Sequence, residues 1–161
     1  MVARSAGLLL FRVSDQGVVE VLLAHPGGPF WAKKDRGAWS IPKGELSEDE
    51  EGLAAARREF REETGQAIAG DFIELTPCRQ PSRKVIHAWA VEGEVDETRV
   101  ASNEFEMEWP PRSGKMQRFP EVDAGRWFPL AEAKARIQSG QIPILDELAR
   151  LLADPDGGSR P

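Results

Sequence analysis

The chain has 161 residues, enough for one compact domain. Its 40% hydrophobic and 30% charged content excludes wholesale disorder, collagen-like repeats and coiled coil. A formal net charge of −6 argues against a duplex nucleic-acid partner, and an apolar run no longer than Leu8–Phe11 is far too short to span a bilayer.

In chain order, residues 6–13 and 18–24 are short, apolar and β-branched, and Asp15-Gln16-Gly17 separates them, which predicts a β-hairpin. Residues 25–38 hold Pro26-Gly27-Gly28-Pro29 and Lys33-Lys34, a long loop whose length suggests a functional task. Residues 39–41 are a brief strand before Pro42. The clearest helix runs over about 48–64: Ser47 and Glu50 have the spacing of a capping box, Gly52 shifts the start toward Leu53, and Gly65 suits the C-terminal cap. On that helix Leu53, Ala56, Phe60 and Thr64 share one face, and Glu59, Glu62 and Glu63 fill a neighbouring arc. Residues 70–78 and 84–92 read as strands, the second apolar on both faces and therefore central. Shorter strands are expected within 103–109 and 119–128, with a loop at 110–115. Helices follow at 130–139, ended by Gly140, and at 142–153, with Ile144, Leu145, Leu148 and Leu152 on one side. Strands interleaved with helices place the chain in the α/β (α+β) class, with a mixed sheet covered by helices. The expectation is a single domain over 1–153 and a polar Gly/Pro tail over 154–161.

The acidity is concentrated. Glu45, Glu48, Asp49, Glu50, Glu51, Glu59, Glu62 and Glu63 are set against only Arg57, Arg58 and Arg61 in the same stretch. Carboxylates three and four residues apart on a helix lie side by side and repel. Such a cluster makes sense around a hard divalent cation with oxygen ligands, Mg²⁺ or Mn²⁺ rather than Zn²⁺.

The spacing is also specific: Gly44, then Glu50, then Arg58-Glu59-Phe60-Arg61-Glu62-Glu63-Thr64-Gly65. This segment resembles the signature of the Nudix hydrolase family, with Gln66 as the one departure, where the family prefers an aliphatic residue that Ile68 can replace. The resemblance implies a Nudix-type α/β/α sandwich around a mixed β-sheet. It implies an enzyme that hydrolyses a diphosphate linkage in a nucleoside diphosphate derivative, with dinucleoside polyphosphates preferred. A Nudix-fold module that binds a nucleotide or ADP-ribose without turnover is the alternative. The cofactor implied is Mg²⁺, with Mn²⁺ as substitute.

Carried over residue by residue, the resemblance makes Gly44, Glu59, Glu62 and Glu63 metal ligands. Glu50 and Arg58 become the supporting pair that orients them. A later carboxylate completes the set, Glu121 being favoured over Glu106 and Glu108. Catalysis is assigned to Glu62, Glu63 and Glu121, one of Glu62 and Glu121 taking the proton from water.

Two loops are basic against this acidic background, and Arg83, Lys84, Arg112 and Lys115 in them, with Lys43 beside Gly44, are the expected phosphate contacts. Trp31 and Trp109 are the tryptophans placed to stack on a base, whereas Trp39, Trp89 and Trp127 read as core. His25 is a weak candidate for touching substrate, and His87 reads as a buried strand histidine. The partner expected is a small nucleotide or diphosphate, with no duplex and no membrane, and the chain a monomer or homodimer. With no signal-peptide pattern at the start, and with Cys78 as the only cysteine, a cytoplasmic protein is expected.

Overall fold

The computed structural model describes residues 3–153; the expected tail over 154–161 lies outside the described residues. Nine strands and three α-helices follow one another: β1 (Arg4–Val13), β2 (Val19–Pro26), β3 (Lys43–Glu45), α1 (Gly52–Thr64), β4 (Ile73–Glu74), β5 (Cys78–Arg79), β6 (Val85–Glu92), β7 (Glu104–Glu108), β8 (Met116–Pro120), β9 (Val122–Pro129), α2 (Leu130–Arg136) and α3 (Ile142–Ala153).

β1 is the spine of the main sheet. It pairs in parallel with β6 over Arg4–Phe11 and Val85–Glu92. Its first half also pairs antiparallel with β3, Ala6 facing Gly44. Its second half forms the predicted hairpin with β2. The order β4-β6-β1-β2-β9, with β3 on β1 and β5 on β6, makes a mixed sheet; β7 and β8 form a separate hairpin.

Alternation along β1 sends Ala6, Leu8 and Leu10 to one face and Leu9 and Phe11 to the other. The first face packs on Ala55, Ala56 and Phe60 of α1. The second packs on Ala133, Ile137, Ile144, Leu145 and Leu148 from the C-terminal helices. Helices on both faces of the sheet are the expected α/β/α sandwich. Phe60 is fully buried, and a side chain of that size contributes about 1.5–3 kcal/mol on leaving water. It therefore anchors the acidic helix against the sheet.

Several boundaries differ from expectation. The bonds from Ser47 N and Oγ to Glu50 form as the spacing suggests, but they close a turn ahead of the helix. Glu51 instead caps α1, accepting from the Leu53 and Ala54 amides. Gly65 ends the helix at φ 75°, donating to the Arg61 carbonyl. Gln66 turns its amide onto the Asp96 backbone, and Ile68 packs against the α1 core cluster in its place.

The brief strand at 39–41 reduces to isolated bridges from Trp39 and Ser40, and the pairing moves on to Lys43–Glu45. Residues 70–78 hold only the two-residue β4 and the start of β5: Leu75 N still reaches the Ala88 carbonyl of β6, but Thr76 leaves the sheet and bonds to Glu147 of α3 through its amide and hydroxyl. The segment 119–128 is split at Glu121 into β8 and β9, which belong to different sheets. α2 stops at Arg136, not at Gly140. Trp39 draws the chain out of the helix there by donating to the Arg136 carbonyl and accepting from Gln138 N. Leu152 is 38% exposed, so the buried stripe of α3 ends at Leu148. No helix among the described residues is long and apolar enough to cross a membrane.

Candidate functional site

The site is built where α1 crosses β3. Gly44 sits opposite Ala6, and a Cβ at Gly44 would overlap the Glu59 carboxylate. Only a glycine leaves the carboxylate room against the strand. Glu59 is 14% exposed in its side chain and receives Arg58 Nη1 at 2.8 Å. The same nitrogen donates to Glu62 at 3.1 Å, while Arg58 Nε and Nη2 form a fork on Glu50 at 2.9 and 3.0 Å. Glu50 is thus held from both sides; the Ser47 amide first, then Arg58, lower its carboxyl below the ordinary value.

Glu63, one turn further along the helix, accepts the Lys43 amide at 3.3 Å. Burial pushes its carboxyl up to about 8; the nearby Lys43 opposes the shift, and the charges of Glu59 and Glu121 add to it. Burial also raises Glu59, against the pull of Arg58 and with a push from Glu62 and Glu121.

Glu121 is therefore within electrostatic reach of both helix carboxylates, although it comes from the β8–β9 junction. A strap of backbone bonds places it there. Ala101 N donates to the Thr64 carbonyl, Asn103 N to Glu62 O at 3.2 Å, and Glu121 N to Asn103 O at 2.8 Å. The rival carboxylates are elsewhere. Glu108 caps the β7–β8 turn, accepting from the Arg112 and Gly114 amides, and Glu106 lies across from Arg118 in that hairpin.

The donor set suits a hard divalent cation: carboxylate oxygens, with the Gly44 backbone beside Glu59 and a half-buried Glu63 behind Lys43 N. Among the described residues, no three such groups already converge as a closed cage. Arg58 and the Lys43 amide engage oxygens of Glu59, Glu62 and Glu63 instead.

Besides a depression of about 500 Å³ beside Arg58 and Glu62, two others of contrasting lining lie near the carboxylates. One, of about 360 Å³, is lined by Pro26, Gly27, Gly28, Phe30, Trp31, Phe105, Met107 and Glu121. Trp31 was expected there; Phe30, Phe105 and Met107 were missed. Phe105 and Met107 alternate with glutamates along β7, a pattern that reads as an ordinary half-exposed strand, and only the fold of the hairpin over Gly28 brings them in. The other depression, about 480 Å³, is polar and lined by Gly37, Lys43, Gln80, Pro81, Ser82, Lys84, Gln138, Ser139 and Gly140. Lys43 and Lys84 face it, and among the described residues neither forms an ion pair. Burial lowers the Lys43 ammonium pKa, Glu63 raises it in part, and Lys84 lowers it further.

Arg83 is exposed in a left-handed turn at φ 72° beside this cleft. Arg112 and Lys115 are not brought to the site: they stand exposed at the tip of the β7–β8 hairpin, beyond the Glu108–Met116 pair. Trp109 is in the same turn region, its amide bonded to the Lys115 carbonyl. Trp39 and Trp127 are core residues, 5% and 8% exposed. His25 is buried and bonded at both ring nitrogens, so it does not face a ligand directly. Cys78 is buried, donating to the Gly140 carbonyl.

An α/β/α sandwich whose glutamate-rich helix is set against a glycine of the mixed sheet defines the class of domain. The family model described as NUDIX domain matches residues 1–148, and the chain belongs to that family. Among curated proteins, the RNA pyrophosphohydrolase of Xanthomonas campestris pv. campestris (strain B100) is 40% identical over 73 residues, covering 40% of this chain and 35% of that protein. The match thus spans about a third of the relative's length. Among solved structures, a C. elegans Ap4A hydrolase binary complex superposes with a TM-score of 0.64 at 20% identity, over 92% of this chain and 98% of that one. The NUDIX domain of Shewanella oneidensis NrtR complexed with ADP ribose superposes with a TM-score of 0.61 at 20% identity, over 93% and 87%. At these identities the likeness is one of fold.

Proposed function

We propose that this chain is a divalent-metal-dependent nucleotide pyrophosphohydrolase that cleaves a diphosphate linkage in a nucleoside diphosphate derivative, with dinucleoside polyphosphates as the preferred class. One observation carries the reading: the mutually repelling Glu59, Glu63 and Glu121 lie between an aromatic groove and a basic cleft. The groove offers Phe30, Trp31 and Phe105 to a base. The cleft offers Lys43 and Lys84 to phosphates on the far side of the scissile bond.

Gly44, Glu59, Glu62, Glu63 and Glu121 would hold the ion, Mg²⁺ or Mn²⁺, with Glu50 and Arg58 aiming Glu59 and Glu62. When bound, the ion supplies charge neutralisation on the diphosphate oxygens and a more acidic water. Glu121 is the better proton acceptor of the two proposed. Its carboxylate has no hydrogen-bond donor among the described residues, whereas that of Glu62 is already engaged by Arg58. Lys43 and Lys84 offset charge on the departing phosphates. The single thiol, buried at Cys78, suits a reducing cytoplasm.

The curated RNA pyrophosphohydrolase and the Ap4A hydrolase support turnover of polyphosphate substrates. The NrtR domain with ADP ribose supports the second reading, a nucleotide-binding module without turnover. The full set Glu59, Glu62, Glu63 favours the enzyme. The test is a panel of dinucleoside polyphosphates, nucleoside triphosphates, ADP-ribose and nucleotide sugars with and without Mg²⁺, the products resolved by chromatography. Metal-dependent cleavage lost in Glu121→Gln but kept in Glu106→Gln is expected. Tight binding with no cleavage of any compound would establish the binding module instead.

A further inference from the structure

We propose that His25 is a positioning residue that latches the aromatic loop to the strand carrying Glu121 and thereby sets the affinity for the nucleobase. The proposal rests on the nucleotide reading above. His25 ends the regular part of β2, just before the pairing with β9 shifts register between His25 and Pro26. Its ring is buried, 7% exposed, and packs edge-on against Trp39 at 5.1 Å. Nδ1 lies 2.8 Å from Asp123 Oδ1 on β9, and Nε2 lies 2.6 Å from the Lys34 carbonyl in the loop. The ring therefore stands as a spacer between an oxygen of β9 and an oxygen of the loop, within hydrogen-bond distance of both.

Trp31 packs on the edge of the core and Ala38 is buried within it, but the loop between Gly27 and Ala38 has few hydrogen bonds to the rest of the fold. Its own backbone bonds are turns, Trp31 N to Gly28 O, Lys34 N to Trp31 O and Ala38 N to Asp35 O. One end is tied by Gly27 N to the Glu121 carbonyl at 3.0 Å. The other is tied by Asp35, which accepts from Trp39 Nε1 and pairs with Arg136. Between these ends the Lys34 carbonyl has no hydrogen-bond donor but His25 among the described residues.

Lys34 then carries the restraint to the groove. Its ammonium sits 3.9 Å from the centre of the Phe30 ring and 5.0 Å from that of Trp31, and Phe30 packs on Trp31 at 5.4 Å. Asp123, His25, Lys34 and the Phe30–Trp31 pair are thus one connected chain, anchored two residues after Glu121. A core histidine with only a packing role would stabilise the fold without favouring one ligand. A latch on the aromatic loop acts on the part of a ligand that bears a base and leaves the phosphate cleft at Lys43 and Lys84 alone.

The discriminating experiment compares His25→Gln and Asp123→Asn with the wild type by calorimetric titration of metal-free protein with two probes, a nucleoside monophosphate and inorganic tripolyphosphate, beside urea unfolding. Glutamine has one donor nitrogen where the ring has two, on opposite edges, so it cannot span Asp123 and the Lys34 carbonyl. About tenfold weaker binding of the nucleoside monophosphate is expected, the equivalent of one lost hydrogen bond. Tripolyphosphate affinity should hold, and the double variant should be no worse than either single one. In turnover assays KM should rise far more than kcat falls. Equal loss for both probes, or loss for neither, overturns the latch and leaves His25 a structural residue. Because binding is read without turnover, a wild type that cleaves no nucleotide counts against the proposed activity and not against the latch.

Discussion

Gly44→Ala separates the geometry of the site from the stability of the fold. The added methyl enters the space of the Glu59 carboxylate, the free end of a flexible side chain. That carboxylate must withdraw by about 1 Å or more, and a displacement of about 1 Å at a reacting centre costs on the order of 100-fold in turnover. Stability should barely change. Alanine in place of glycine in a strand contributes about 0.5–1 kcal/mol through the unfolded chain. Drawing Glu59 away from Arg58 Nη1 forfeits one ion-paired hydrogen bond near the surface, worth about 1 kcal/mol. The two offset each other. The assays are kcat at saturating Mg²⁺ on whichever nucleotide the panel selects, and urea unfolding of the metal-free protein. Turnover within about twofold of wild type, at an unchanged unfolding midpoint, would refute the placement of the reaction at Gly44 and Glu59. A loss of several kcal/mol would show that the backbone, not the carboxylate, gives way.

Three further outcomes are expected. Glu63, raised to about 8 by burial and the charges around it, favours the folded metal-free protein below the ordinary carboxylate range. That stabilisation is lost as pH rises toward 8, so Tm in EDTA should fall over this window in wild type and not in Glu63→Gln. A shared slope would refute the assignment, and Mg²⁺ binding near pH 7 should release close to one proton, visible as a buffer-dependent enthalpy. Arg58→Lys keeps the charge but cannot span Glu50, Glu59 and Glu62 together; a loss of about 1 kcal/mol in urea and a fall of about tenfold in kcat are expected. Phe105→Ala should raise KM about tenfold with little change in kcat, stacking on a base being worth about 1–3 kcal/mol; an equal fall in kcat would place Phe105 in the chemistry rather than in binding.

The sequence by itself determined the acidic helix, its C-terminal cap at Gly65, the β1–β2 hairpin, the strand β6 and the stripe of Ile144, Leu145 and Leu148 on α3. All of these are local: periodicity and turn chemistry act between residues a few positions apart. It also singled out Gly44, Glu50, Arg58, Glu59, Glu62 and Glu63, because their spacing is a property of one helix and the turn before it.

What joined that helix to anything else was decided only in three dimensions. Glu121, Glu106 and Glu108 are alike as sequence, and it is a strap at residues 101–103, without any sequence pattern of its own, that sets Glu121 near Glu59 and Glu63. The hairpin β7–β8 took Arg112 and Lys115 away from the site while carrying Phe105 and Met107 into it. The joining of His25 to Lys34 and of both to Asp123 was likewise invisible, since those residues are scattered over nearly 100 positions. Contacts of that range depend on strand order and register, which the chain settles by burying both faces of β1 at once and not by any local preference.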